Sequence, residues 1–406
     1  MTDTSAETVR PVQRDLIIIL GLLTCLGPLN IDMYLPGFPN IGHDFQASET
    51  AVQFSLTSTL IGLAVGQLLV GPLSDARGRK IPLLGAMALF ALSSLFCAVA
   101  SSITTFIVAR FLQGLTASAG LVLSRAVVRD VFNGPDLARF FSRLMIINAV
   151  APMVAPMLGG AILALPSATW RTMFWFLTGF GVLALGLVAA RLTETLELHR
   201  RLPNSPRATL ETFHSLLTDR EFIGHALTVG LIHGGSFAYV AGTPFVYQDI
   251  YGVTPQTFSI LFGINGLALV GGSWLIGRAG SMARTDTFLR ASVICITVAA
   301  ALITLIATLK GPLFLLVAAI FLYMTCIGMI LTATFVLAIA KQGHRAGSAS
   351  AILGSLNLLI GGVAAPLVGL SKTSALPMGL VLLLTSLAGL FTCFRLASRH
   401  QDDVTS

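Results

Sequence analysis

Charge is what this chain lacks. Only 11% of its 406 residues are Asp, Glu, Lys or Arg, against 55% hydrophobic residues. A soluble domain carries about 25% charged residues, and a water-facing surface could not be clothed with so few. Disorder, a coiled coil and an ordinary water-soluble enzyme are excluded. Cysteine is sparse too: Cys25, Cys97, Cys295, Cys326 and Cys393 stand alone in apolar stretches. Without a Cys-x-x-Cys they form neither a disulfide framework nor a metal site, and read as small apolar side chains. No His-Glu-x-x-His, Gly-x-Ser-x-Gly or phosphate loop occurs, so no enzyme activity, cofactor, metal or direct use of ATP is expected. Bases outnumber acids, 25 to 18. They lie in scattered short loops without interleaved aromatics, which argues against nucleic acid as a partner and for the anionic face of a lipid bilayer.

What the chain has is long apolar runs, with a mean hydropathy of +0.85. A membrane-crossing helix needs about 20 apolar residues, and twelve runs qualify. They are Leu16 to Pro36, Ala51 to Leu73, Ile81 to Ala100, Thr104 to Leu123, Phe140 to Leu165, Thr172 to Leu192, Phe222 to Val246, Phe258 to Ile276, Phe288 to Leu309, Pro312 to Ala340, Ala346 to Leu370 and Leu376 to Leu396. The runs do not alternate, which excludes a β-barrel. An all-α membrane protein of 12 transmembrane helices is expected. The first run, preceded by Arg10 and Arg14, is too long for a signal peptide and reads as a retained helix.

Charge placement supports this count. With the N-terminus cytoplasmic, Lys and Arg should crowd the cytoplasmic loops. Of the 25 bases, Arg171, Lys310 and Lys372 alone fall on the other side and Arg110 alone lies well within a span. The hydrophilic stretch 193–220, with Glu194, Arg200, Arg201 and Arg207, divides the chain into six-helix halves, 1–192 and 221–406. Two echoes recur at nearly one spacing. Leu35-Pro36-Gly37-Phe38 matches Thr243-Pro244-Phe245, and Ala155-Pro156-Met157-Leu158-Gly159 matches Ala365-Pro366-Leu367-Val368-Gly369. Two pseudo-symmetric six-helix bundles, a transporter architecture, are expected.

Two charges sit where charge is costly. Asp32 alone among the acids and Arg110 alone among the bases lie well within a span, where an ionisable group costs about 2.5–3.5 kcal/mol on insertion scales and is functional by default. Asp32 is roughly 24 Å along span 1, which leaves roughly 6 Å of hydrocarbon beyond it. Arg110, on a span running the other way, is roughly 9 Å deep. The depths agree well enough for an ion pair between them. Such a pair is either an architectural pin or a switch between bound proton and bound cation. Asn30 and Tyr34 flank Asp32, and Gln113 follows Arg110 on its own helix face. Asn148, His233, Tyr239, Asn265 and Asn357 are isolated polar groups in spans 5, 7, 8 and 11. They line a substrate cavity or serve as polar glue between helices. His233, beside Gly234 and Gly235, reads as a packed donor before a metal ligand.

These residues bring a family into view. Gly71-Pro72-Leu73-Ser74-Asp75-Ala76-Arg77-Gly78-Arg79-Lys80 resembles the loop motif that follows span 2 in the major facilitator superfamily, with Ala76 where Arg is common. Arg110-Phe111-Leu112-Gln113-Gly114 is similar to its span-4 motif. Ala151-Pro152-Met153-Val154-Ala155-Pro156-Met157-Leu158-Gly159-Gly160 is similar to its antiporter motif, with Ala155 in place of the first Gly. That stretch, with Asp32-Met33-Tyr34-Leu35-Pro36 and Arg125-Ala126-Val127-Val128-Arg129-Asp130, resembles the Bcr/CflA branch of bacterial twelve-helix drug:proton antiporters. The second half has no counterpart of Arg110.

The resemblance implies a conformational latch of Gly71, Asp75, Gly78, Arg79 and Asp130. In it Asp75 would accept bonds from the start of span 11 and Arg79 would pair with Asp130, favouring the outward-facing state and breaking on inward opening. Arg77 and Lys80 are read as ordinary cytoplasmic-side charge. Pro152 and Pro156 remove backbone donors, and Gly159 and Gly160 permit close packing that seals a leak path. The expected function is proton-coupled efflux of small-molecule drugs by alternating access. Its partners are the substrate, protons and the bilayer. A monomer in the bacterial cytoplasmic membrane is expected, with both termini cytoplasmic and Asp32 and Arg110 coupling the proton. The alternative is a proton-coupled transporter of a sugar, amino acid or related solute.

Overall fold

A computed structural model describes residues 5–132, 134–201, 206–278, 282–340, 346–370 and 374–396. Among them every regular element is helical. Helix α1 is Ser5–Asp32, α2 is Phe38–Asp44, α3 is Glu49–Arg77, α4 is Lys80–Ala98, α5 is Ile103–Val131, α6 is Gly134–Leu163 and α7 is Trp170–Arg191. After the linker come α9 (Arg220–Phe245), α10 (Pro255–Gly277), α11 (Met282–Thr308), α12 (Leu313–Ala340), α13 (Ala346–Ala364) and α14 (Leu376–Arg395). The linker itself carries α8, Pro206–Thr218, which the sequence reading treats only as a hydrophilic stretch. It is held by Leu216, buried among Phe222, Ala226 and Ile352.

Local chemistry sets the ends. Ser48 caps α3 by accepting from the Ala51 N–H at 3.2 Å, and Ser102 caps α5 in the same way. Asp219 accepts from Glu221 and Phe222 to start α9. Each satisfies donors that a helix start leaves open. In α1, Pro28 supplies no N–H, and the helix ends one turn later at Asp32. The chain turns through Leu35–Gly37 as a short 3-10 segment before α2.

Among the described residues eleven helices are long and apolar enough to cross a membrane, and the protein is a multi-pass membrane protein. The seventh expected span, α9, is as long at 26 residues but less apolar. Thr228, Ser236, Tyr239 and Thr243 along it are all buried against other helices. A helix shielded from lipid by its neighbours does not need an all-apolar surface.

Two helix pairs bring their backbones together. A Cβ at Gly62 of α3 would strike the Phe111 carbonyl of α5, and one at Gly272 of α10 would strike the Thr325 carbonyl of α12. Small residues permit this approach in membranes, and the second position repeats the first in the other half of the chain.

Side chains before and after the linker join from the end opposite the basic loops to the middle of α3 and α13. Thr50 Oγ1 donates to the Gly369 carbonyl at 2.9 Å, and Thr57 Oγ1 donates to Gly362 at 2.9 Å. Ser355 Oγ donates to Ala64, Gln53 to Ala241, Gln248 to Pro36 and Gln256 to Gly160.

Candidate functional site

Arg110 of α5 is fully buried, yet its partner is not Asp32. Its Nη1 donates to Asn30 Oδ1 and Gln113 Oε1, and its Nη2 donates to the Asn30 carbonyl at 2.6 Å. The Tyr34 ring lies 4.1 Å from the guanidinium, a cation–π contact. Gln113 is held in turn by Ser94, whose Oγ accepts at 2.7 Å. The expected Asp32–Arg110 ion pair is therefore absent. Equal depth fixes only one coordinate, and residues two apart on a helix face different ways. Asn30 turns toward α5, so Asp32 turns elsewhere.

Asp32 is 7% exposed, and no ion pair or side-chain hydrogen bond reaches it among the described residues. Its carboxylate is close enough to Tyr239 of α9 to act on it electrostatically. Asn265 of α10 donates to the Tyr239 hydroxyl at 3.1 Å, and Phe262 stacks on the same ring at 5.2 Å. Asn265 Oδ1 and the Tyr247 hydroxyl are buried without a hydrogen-bond partner. Tyr247, in the turn after α9, has no apolar-run signature and is missed by the sequence reading.

The other expected polar residues do not join this group. His233 lies 5.6 Å from the Phe237 ring, and its neighbour Gly234 abuts the Asn357 carbonyl of α13. Both belong to the α9–α13 seam, where His233 Nδ1 and Asn357 Oδ1 are buried without partners. Asn148 is half-buried on α6, and no contact among the described residues ties it to either group.

At the basic end, Arg79 is the hub. Its side chain bonds Asp130 at 2.8 Å, Ser74 at 2.7 Å and Asp75. Burial pulls its pKa down, but the bonds to Asp130 and Asp75 outweigh burial and raise it above its ordinary value. Gly78 sits at φ +89°, a backbone region that favours glycine. Nothing crowds Gly71. It contributes a carbonyl that accepts from Ser74 at 2.8 Å. Among the described residues the expected bond to Asp75 from the start of span 11 is not made, and Asp75 accepts from Arg79 alone. The expectation that the network breaks on inward opening meets a different arrangement. Arg79, Asp75 and Asp130 all precede the linker, and their bonds are intact while the cross-linker bonds run from the opposite end to the middle of α3 and α13.

Glu194 is the member that sequence reasoning missed. Its oxygens accept from the backbone N–H groups of Arg79 at 2.8 Å, Lys80 at 3.2 Å, Thr195 at 3.0 Å and Leu196 at 3.0 Å. Partial burial raises its pKa, but these four bonds outweigh burial and hold the carboxyl below its ordinary 4.5. A depressed carboxyl stabilises the fold above its unfolded value and loses that contribution as pH falls through the folded one. Glu194→Gln should therefore melt below the wild type at neutral pH, with the gap closing as pH drops beneath 4.5. Thermal unfolding across pH checks this, and a gap that stays constant would refute it.

In α6, Gly159 and Gly160 face two partners. A Cβ on Gly159 would strike the Met33 carbonyl just beyond Asp32, and one on Gly160 would strike Ser259 of α10. The Gly160 carbonyl also accepts from Gln256 at 3.3 Å. Pro156 is buried beside them and Pro152 half-buried one turn earlier. The pair wedges α6 between α1 and α10.

A bundle of apolar helices with Asp32 and Arg110 buried inside it and paired charges at one end has the build of a membrane transport protein. The chain belongs to the Major Facilitator Superfamily, whose sequence model matches residues 20–366. It is 60% identical over 385 residues to an uncharacterized MFS-type transporter, YdgK, of Bacillus subtilis (strain 168), covering 95% of this chain and 96% of that one. It is 31% identical over 363 residues to a bicyclomycin resistance protein homolog of Haemophilus influenzae, covering 89% and 91%. The fold matches the crystal structure of a D-xylose-proton symporter with a TM-score of 0.72 at 16% identity, over 94% of this chain and 97% of that one.

Proposed function

We propose that this transporter exports small amphipathic or polar drug-like molecules in exchange for protons, by alternating access across a bacterial cytoplasmic membrane. The basic end and both termini face the cytoplasm, and the chain works as a monomer driven by the proton gradient alone. Asp32 carries the reading. A buried carboxylate with no protein cation beside it demands a proton or a cationic group of the substrate. The negative end of the α1 dipole at Asp32 favours the same positive guests. Its neighbour Tyr239 comes from the other side of the linker, so one site senses both groups of helices. Asn265, Phe262 and Tyr239 supply polar and aromatic contacts for a substrate there. Arg110, Asn30, Gln113 and Tyr34 hold α1 against α5 and position Asp32. The H. influenzae relative's description as a bicyclomycin resistance protein homolog supports a drug as cargo.

Asp32→Asn should abolish proton-coupled efflux, with a fall of at least tenfold, while the protein stays folded. Resistance of a pump-deficient bacterium to cationic, chloramphenicol-like and bicyclomycin-like compounds reads the first effect. Substrate-induced proton release from purified protein reads the coupling. Full coupled transport by a folded Asp32→Asn variant would sink the proposal.

A further inference from the structure

Three of the bonds across the linker divide join α3 to α13 and the 3-10 segment Ala365–Leu370 that continues it, and they follow one register. Thr50 bonds Gly369, Thr57 bonds Gly362 and Ala64 accepts from Ser355. Each step is seven residues along α3 and seven back along α13, one side-chain-to-carbonyl bond for about every two turns of an antiparallel pair.

Two of the three acceptors, Gly362 and Gly369, are open by construction. A carbonyl inside a helix is normally taken by the N–H four residues on. For Gly362 that residue is Pro366, which has no N–H. The Thr57 hydroxyl takes the vacant place at 2.9 Å. Gly369 lies in the closing 3-10 segment Ala365–Leu370, among the terminal carbonyls a helix leaves unsatisfied. The donors are set apart as well. Thr116, Thr297 and Thr304 turn their hydroxyls back onto carbonyls of their own helices, as threonines commonly do. Thr57, 8% exposed, spends its hydroxyl across the divide.

We propose that the Thr57–Gly362 bond, created by Pro366 and flanked by the Thr50 and Ser355 bonds, is the clasp that holds the non-basic end shut. Its strength sets the balance between the two faces of the transport cycle. Thr50, Thr57 and Ser355 are positioning residues in this sense, since they touch no substrate. The inference does not depend on which solute is carried or on proton coupling. Loss of one such bond inside a membrane protein shifts an equilibrium on the order of threefold.

The test is a distance distribution measured by electron paramagnetic resonance on the full-length protein, with native cysteines replaced. Spin labels go at His43 and Leu309, both exposed at that end on opposite sides of the linker. Thr57→Val should raise the ratio of the long-distance to the short-distance population about threefold. Thr57→Ser keeps the hydroxyl and should match the wild type. Pro366→Ala restores an N–H that competes for Gly362 and should shift the ratio in the same direction as Thr57→Val. Combining it with Thr57→Val should add nothing, because both act on one bond. Thr297→Val serves as the control and should leave the distribution unchanged. A wild-type distribution from Thr57→Val, or two full shifts that multiply in the double variant, would overturn the proposal. Because the readout needs no substrate, its failure leaves the efflux reading untouched.

Discussion

Arg79→Ala should be among the most destabilising single changes in the protein, costing about 3–5 kcal/mol as removal of one partner from a buried ion pair does. The cost falls on what remains. The Asp130 side chain is 4% exposed and would be left as an uncompensated buried charge, whereas Asp75, at 39%, can turn to water. Arg79→Ala should therefore be partly rescued by Asp130→Ala and hardly at all by Asp75→Ala. Unfolding midpoints of the single and double variants in detergent give the coupling directly. Strict additivity between Arg79 and Asp130 would show that the pair carries no energy. Lysine should rescue poorly, because its single ammonium cannot bond Asp130 through Nε and Asp75 and Ser74 through Nη1 as the arginine fork does.

Arg110→Met should be comparably severe for a different reason. Its guanidinium satisfies Asn30 Oδ1, the Asn30 carbonyl and Gln113 Oε1, and each buried acceptor left unmade costs about 1–3 kcal/mol. Partners are distinguished by double-mutant cycles. Arg110 and Asn30 should couple by about 1–3 kcal/mol, while Arg110 and Asp32 should add within about 0.5 kcal/mol. Coupling of Arg110 to Asp32 as strong as that to Asn30 would restore the ion pair that sequence depth suggests.

The difference between those two cycles marks how far the sequence could be read. Hydropathy locates helices because about 20 apolar residues have few other uses, and the basic residues fix their alternation. Depth along a helix is legible in the same way. Direction around it is not, and two residues separate Asn30 from Asp32, enough to exchange one partner for another. Tyr239 and Asn265 are visible as polar residues in apolar runs, but nothing local says they meet each other. Glu194 hides for the opposite reason, as one acid in a stretch where charge is ordinary. Its role comes from backbone N–H groups, two beside it and two more than a hundred residues earlier, and N–H groups leave no trace in a sequence. Pro366 is an intermediate case. A proline four residues after Gly362 announces a free carbonyl, though only the fold shows that Thr57 takes it.

The glycine contacts between α3 and α5 have a mechanical consequence. Side chains interposed between helices act as a compliant cushion, and at Gly62 there is none, since the α5 backbone lies where a Cβ would be. The two helices are in effect one stiff beam. One edge of that beam carries Thr50 and Thr57, and the other carries Arg110. A tug that parts Thr57 from Gly362 reaches the Arg110–Asn30 contact, and through it the end of α1 that bears Asp32, with little slack to absorb it.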